Sequence, residues 1–128
     1  MSSEQRYGRG MYRKVLMYSA TPFERLSALY IGALRLARQG RAAAVQGNTD
    51  LALQRAERVS ALVKRLDVCL DRQAAPELSE NLSRLYRHIE GRLDQEGIEL
   101  DPSGYDEVIA ILEKLFEGFQ EAEGIKQQ

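Results

Sequence analysis

Apolar side chains return every three or four residues in four separate stretches of this chain, and breakers or caps close each stretch off. That period puts the apolar positions of a stretch on one face of an α-helix. It does not suit a strand, whose faces alternate at every second residue. The first stretch carries Phe23, Leu26, Tyr30, Ala33, Ala37 and Ala44. It is opened by Thr21-Pro22-Phe23-Glu24 and stopped by Gly47-Asn48. The opening is a capping box, with Thr at the cap, Pro at the first helical position and Glu reaching back to free N–H groups. The second stretch, expected as a helix from Asp50 to about Arg72, places Ala56, Val59, Val63, Leu66 and Leu70 at alternating steps of three and four. After Pro76 the third shows Leu78, Leu82, Leu85, Ile89 and Leu93, with Gly97 as its stop. Asp101-Pro102-Ser103 opens the fourth, which carries Tyr105, Val108, Leu112, Leu115 and Phe119.

Short connections make sequential helices antiparallel neighbours, so the expected fold is all-α, an antiparallel up-down four-helix bundle. Three prolines, nine aromatic residues (six Tyr and three Phe) and no tryptophan agree with helices. A length of 128 residues suits one domain with one core. The expected division is an N-terminal arm over residues 1–20, a bundle over 21–124 and a tail over 125–128. Gly32 and Gly40 interrupt the first helix, where each costs about 1 kcal/mol relative to Ala, so close packing by a neighbour is expected there.

Charge is unevenly distributed. Residues 1–73 hold 13 Lys or Arg against six Asp or Glu, and residues 74–128 hold five against 13. The expected reason is that basic helices pack beside acidic ones. The acidic half would repel phosphate, so no nucleic-acid partner is expected. The longest strongly apolar run, Val108 to Leu112, is far short of the roughly 20 residues that span a bilayer. No membrane insertion is expected. With no secretory pattern at the N-terminus and a single cysteine, the expected location is cytoplasmic.

Catalysis needs several specific groups to converge, and the chain offers only His88 and Cys69 from the usual nucleophile and zinc-ligand set. Cys69 is expected as a small packing hydrophobe on the flank of the second helix. No phosphate-cradling glycine loop is present, and one histidine cannot supply the repeated Glu-x-x-His of a di-iron bundle. No enzyme activity, metal or cofactor is expected. A lone helical histidine admits one alternative, a phosphotransfer-like bundle using His88, but His88-Ile-Glu-Gly91-Arg92 lacks the lysine such domains carry nearby. The plainer reading of His88 is a packed or hydrogen-bonded residue at the edge of the third stripe.

Apolar residues also lie beyond the seams: Ile31, Leu36, Leu51, Leu62, Tyr86, Ile109, Ile111 and Phe116. Most are expected to broaden the core. The remainder suit a groove for an apolar helical or extended segment, which the arm covers with Leu16 and Met17 until a partner arrives. A bundle that dimerises through this surplus is a further alternative, and oligomeric state stays open.

Tyr12, then Ser19-Ala20-Thr21-Pro22-Phe23-Glu24-Arg25-Leu26, then Leu29-Tyr30-Ile31-Gly32-Ala33-Leu34, resembles the flagellin export chaperone family, FliS. Leu66-Asp67, Asn81-Leu82-Ser83-Arg84-Leu85-Tyr86 and the acidic aliphatic fourth helix ending near Phe119 follow in that family's order. The resemblance covers roughly residues 7 to 122. Ile31, Arg87 and Phe119 depart from residues usual in the family.

The resemblance implies a cytoplasmic chaperone that holds the disordered C-terminal segment of flagellin. Such a chaperone prevents premature polymerisation and delivers its client to the flagellar type III export apparatus, with an export gate component as a second partner. The partner-binding residues it suggests are Leu62, Asn81, Leu82, Leu85 and Tyr86, with Tyr12, Leu16 and Met17 of the arm covering the site. Tyr86 and Asn81 are the expected surface contacts, because Leu82 and Leu85 fall on the seam.

Overall fold

The computed structural model describes residues 22–94 and 101–127. It contains α1 (Pro22–Val45), α2 (Thr49–Val68), α3 (Pro76–Leu93) and α4 (Pro102–Gln127), with no strand among the described residues. The helices form a ring in which α1 touches α2 and α4, and α3 touches the same two. Register fixes the directions. On α1 and α4, Phe23 stacks on Phe119 and Arg38 meets Glu113, so rising numbers on one helix meet falling numbers on the other. Ser83 with Asp67, and Glu90 with Lys64, show the same for α2 and α3. The fold is the antiparallel up-down bundle. The arm residues Tyr12, Leu16 and Met17, and the capping Thr21, lie outside the described residues.

Each boundary has a local cause. Gly47 takes φ +74°, a left-handed conformation that ends α1. The Asn48 side chain then accepts from Leu51 N–H and caps α2. Asp101 Oδ1 accepts from Gly104 N–H at 2.9 Å and opens α4 in the same way. α2 stops at Val68, short of the expected Arg72, because Cys69 N–H turns back to the Arg65 and Leu66 carbonyls. Cys69 therefore lies beyond the last turn and is exposed, a correction to its expected packing role. At the other end of the chain, α4 runs to Gln127, through residues expected to be a tail.

The core draws on the expected seams of all four helices, with Ile89 and Leu93 supplied by α3. Tyr30, Ala33 and Ala37 of α1, Ala56, Val59, Val63 and Leu66 of α2, and Tyr105, Val108 and Leu112 of α4 are all buried. Leu36, Leu51, Leu62, Ile109, Ile111 and Phe116 are half-buried against them, so they broaden the core stripe. Two tyrosines tie the diagonals of the bundle. Tyr105 of α4 donates its hydroxyl to the Ala52 carbonyl of α2, and burial pushes its phenol up to about 12. Tyr86 of α3 meets Tyr30 of α1, hydroxyl to hydroxyl, at 2.7 Å.

The two glycines of α1 sit where neighbours come close. A Cβ on Gly40 would lie 2.5 Å from the Tyr105 ring, and one on Gly32 would lie 3.3 Å from Leu62 Cδ1. The charge asymmetry has the expected structural counterpart, since Arg38 and Arg41 of α1 pair with Glu113 and Asp106 of α4. Each pair is exposed and contributes on the order of 1 kcal/mol or less.

Candidate functional site

α3 is rotated relative to the face its leucines suggest. Its buried residues are Ser79, Ser83, Tyr86, Ile89 and Leu93, whereas Leu78 is 58% and Leu85 38% exposed. Two effects turn the helix this way. The Tyr86 hydroxyl finds its partner only across the bundle, at Tyr30, and a buried phenol needs one. The small side chains of Ser79 and Ser83 let α3 approach α2, where Ser83 Oγ donates to Asp67 and Ser79 Oγ to the Asp71 carbonyl. Tyr86 is thus a core residue at 2% exposure, and its expected surface role is corrected. Burial holds the Tyr86 phenol far above its ordinary value, and it holds Tyr30 above as well.

The rotation leaves an apolar patch. Leu78, Asn81, Leu82 and Leu85 follow one another at helical spacing on one flank of α3, with Leu82 half-buried and Asn81 exposed. His88 and Arg92 mark the same flank as the one facing α4, because both meet Glu107, at 2.6 and 2.9 Å. In this antiparallel pair, moving back along α3 from His88 through Leu85 to Leu82 corresponds roughly to moving forward along α4 from Glu107 through Ile111 to Leu115. Ile111 and Leu115 are half-buried. Of the neighbouring helix pairs, α3 and α4 touch least. Leu78 and Leu85 therefore form an exposed apolar edge on the α3 flank that faces α4, and Leu82, Ile111 and Leu115 remain half-buried against the core. Sequence reading counted Ile111 among the surplus apolar residues but put Leu78 and Leu115 on the seams, so the three were not joined as one surface; the available signal was the 4, 3 spacing of Ser79, Ser83 and Tyr86.

Leu62 is not brought to this patch. It packs toward Gly32 of α1, while α2 turns Lys64 and Asp67 toward α3. His88 is exposed, and its Nε2 is held by Glu107, so it joins α3 to α4 as the hydrogen-bonded edge residue expected. The His88 hydrogen bond, with Arg92 nearby, holds the Glu107 carboxyl below the usual carboxylate range. Among the described residues, no group of three or more His, Cys, Asp or Glu is placed to hold a metal. None of the described helices is long and apolar enough to cross a membrane.

Glu90 is the strained member of the α2–α3 contact. Its Oε1 is buried without a hydrogen bond, and Lys64 Nζ approaches only to 4.0 Å. Burial pushes the Glu90 carboxyl above its ordinary 4.5, with Lys64 opposing. The folded state then holds this proton more tightly than the unfolded chain does. The group favours the fold in acid, and that contribution is lost as pH rises through the raised value. Glu90→Gln is accordingly expected to raise the melting temperature at neutral pH and to give no gain well below pH 4.5. A variant that melts lower than the parent at neutral pH would show that the Lys64 attraction dominates instead.

Fold and surface together define a class: an antiparallel helical bundle with an exposed apolar edge on one helix flank. The pattern of the family described as Flagellar protein FliS matches residues 3–126, and the chain belongs to that family. It is also similar to the Flagellar secretion chaperone FliS of Vibrio cholerae serotype O1, with 29% identity over 108 residues, covering 81% of this chain and 79% of the relative.

Proposed function

We propose that this chain is a cytoplasmic export chaperone that binds the disordered C-terminal segment of flagellin and keeps it from polymerising prematurely. It then delivers the segment to the flagellar type III export apparatus, an export gate component being its second partner. The observation that carries the reading is the apolar edge of the α3–α4 face, with Leu78 and Leu85 exposed in a member of this family. An amphipathic client segment ordering on that face loses chain entropy and gains burial at roughly 25 cal/mol per Å². No bond is broken in such a mechanism.

The contact set is Asn81, Leu82 and Leu85, joined by Leu78, Ile111 and Leu115. Residues Tyr12, Leu16 and Met17 cover part of the face in the free chaperone and move aside for the client. The stack of Phe23 on Phe119 supports this, since it puts the start of α1 beside the last turns of α4. Leu85→Asp tests the location. The side chain is exposed, so the melting temperature should stay within a few degrees of the parent while affinity for the client segment falls about tenfold or more. Unchanged affinity in a folded Leu85→Asp protein would remove the site from this face.

A further inference from the structure

α1 carries a second stripe, pointing away from the bundle. Ala28, Ile31, Arg35, Arg38, Ala42 and Val45 are spaced 3, 4, 3, 4 and 3 apart, and all six are exposed, Ile31 at 46% and Val45 at 60%. Such spacing puts all six on one face of the helix. Here it runs along a helix whose opposite face is already in the core, over about 25 Å. Its ends are apolar and its centre is basic. Ile31, Arg35, Arg38 and Ala42 also line one shallow depression. Arg35 has no ion-pair or hydrogen-bond partner among the described residues, and Arg38 gives only part of its five-donor fork to Glu113.

We infer that this stripe is a docking surface for an amphipathic helix of a protein partner, one with acidic residues at the centre of its apolar seam. Charge selects that occupant. A second copy of this chain laid along α1 in either direction would set the Arg35 and Arg38 pairs against each other. The chain's own arm carries Arg6, Arg9, Arg13 and Lys14 against the single Glu4, so it has the wrong sign for the centre. The apolar ends at Ile31 and Val45 suit an amphipathic helix rather than a phosphate backbone. The stripe is separate from the α3–α4 face, and the inference stands whether or not that face holds flagellin.

The test uses the full chain and two labelled synthetic peptides of one amphipathic helical pattern, with either Glu or Lys at the two central seam positions. Fluorescence anisotropy is expected to show saturable binding of the Glu peptide and binding of the Lys peptide weaker by about tenfold or more, a gap that narrows with salt. Arg35→Glu should shrink or reverse that preference, and Ile31→Ser should weaken the Glu peptide. Both variants should melt like the parent, because both side chains are exposed. Leu85→Asp should leave the Glu peptide unaffected. Failure of the Glu peptide to bind the folded protein, or equal binding of both peptides, overturns the inference. A concentration-dependent dimer abolished by Ile31→Ser also overturns it, by assigning the stripe to a second copy. Displacement of the Glu peptide by the flagellin C-terminal segment does so too, by making the stripe part of the client seat.

Discussion

Tyr86→Ala is expected to destabilise the bundle by about 3–5 kcal/mol, the range for deleting a fully buried aromatic ring. For a domain of this size that is a fall in melting temperature of roughly 10–20 °C. The ring is 2% exposed, and its loss opens a cavity between α1 and α3. It also strands the buried Tyr30 hydroxyl, whose ring packs on those of Phe116 and Phe119. Tyr86→Phe isolates that second effect, because it keeps the ring and removes only the partner oxygen, at about 1–3 kcal/mol. Combining Tyr86→Phe with Tyr30→Phe should then destabilise by less than the sum of the two single changes. Thermal and urea unfolding by circular dichroism measure all four variants. Client affinity per folded molecule should be nearly unaltered in Tyr86→Phe. Lost affinity at parental stability would return Tyr86 to the binding surface.

Gly40→Ala should reverse the usual sign of a glycine-to-alanine change in a helix. At an open helical position the substitution stabilises by up to about 1 kcal/mol. At Gly40 the new methyl would meet Cζ and the hydroxyl oxygen of Tyr105 at 2.5 Å. That ring is fully buried, and its hydroxyl is committed to the Ala52 carbonyl across the bundle. Overpacking costs about 1–3 kcal/mol, and displacing the ring loses the hydrogen bond, worth about another 1 kcal/mol. The expected net effect is a destabilisation of about 2–4 kcal/mol. Gly91→Ala is the matched control, since nothing lies within 4 Å of its Cβ position and the change should be neutral or stabilising. If Gly40→Ala were as benign as Gly91→Ala, the α1–α4 packing around Tyr105 would be wrong.

These two tyrosines also show where sequence reading succeeds and where it stops. The seams Val59-Val63-Leu66 and Tyr105-Val108-Leu112 were legible because large apolar residues at helical spacing have no competing face. Gly40 signalled a close neighbour, and its identity, Tyr105, needed the fold. In α3, Ile89 and Leu93 were read correctly as core, but Leu78 and Leu85 outweighed two serines, so the earlier part of the face was read out of register. What decides that rotation is a hydroxyl on another helix, 56 residues away in sequence, together with two short side chains that admit α2. The periodicity of the leucines carries no information about either. The same rotation explains the site. Leu78 and Leu85 looked like core and Tyr86 looked like surface, and the structure exchanges them. Leu62 was read as surplus apolar surface and grouped with the α3 residues by resemblance, and it faces α1.

The central claim is that the apolar α3–α4 face of this bundle orders a flexible client segment. Calorimetric titration of the full chain with the C-terminal segment of flagellin from the same organism, run at several temperatures, tests it directly. Saturable one-to-one binding with a negative heat-capacity change, weakened by Leu85→Asp, is the predicted result. A folded bundle that takes up none of the segment, or takes it up with no heat-capacity change, would contradict the claim.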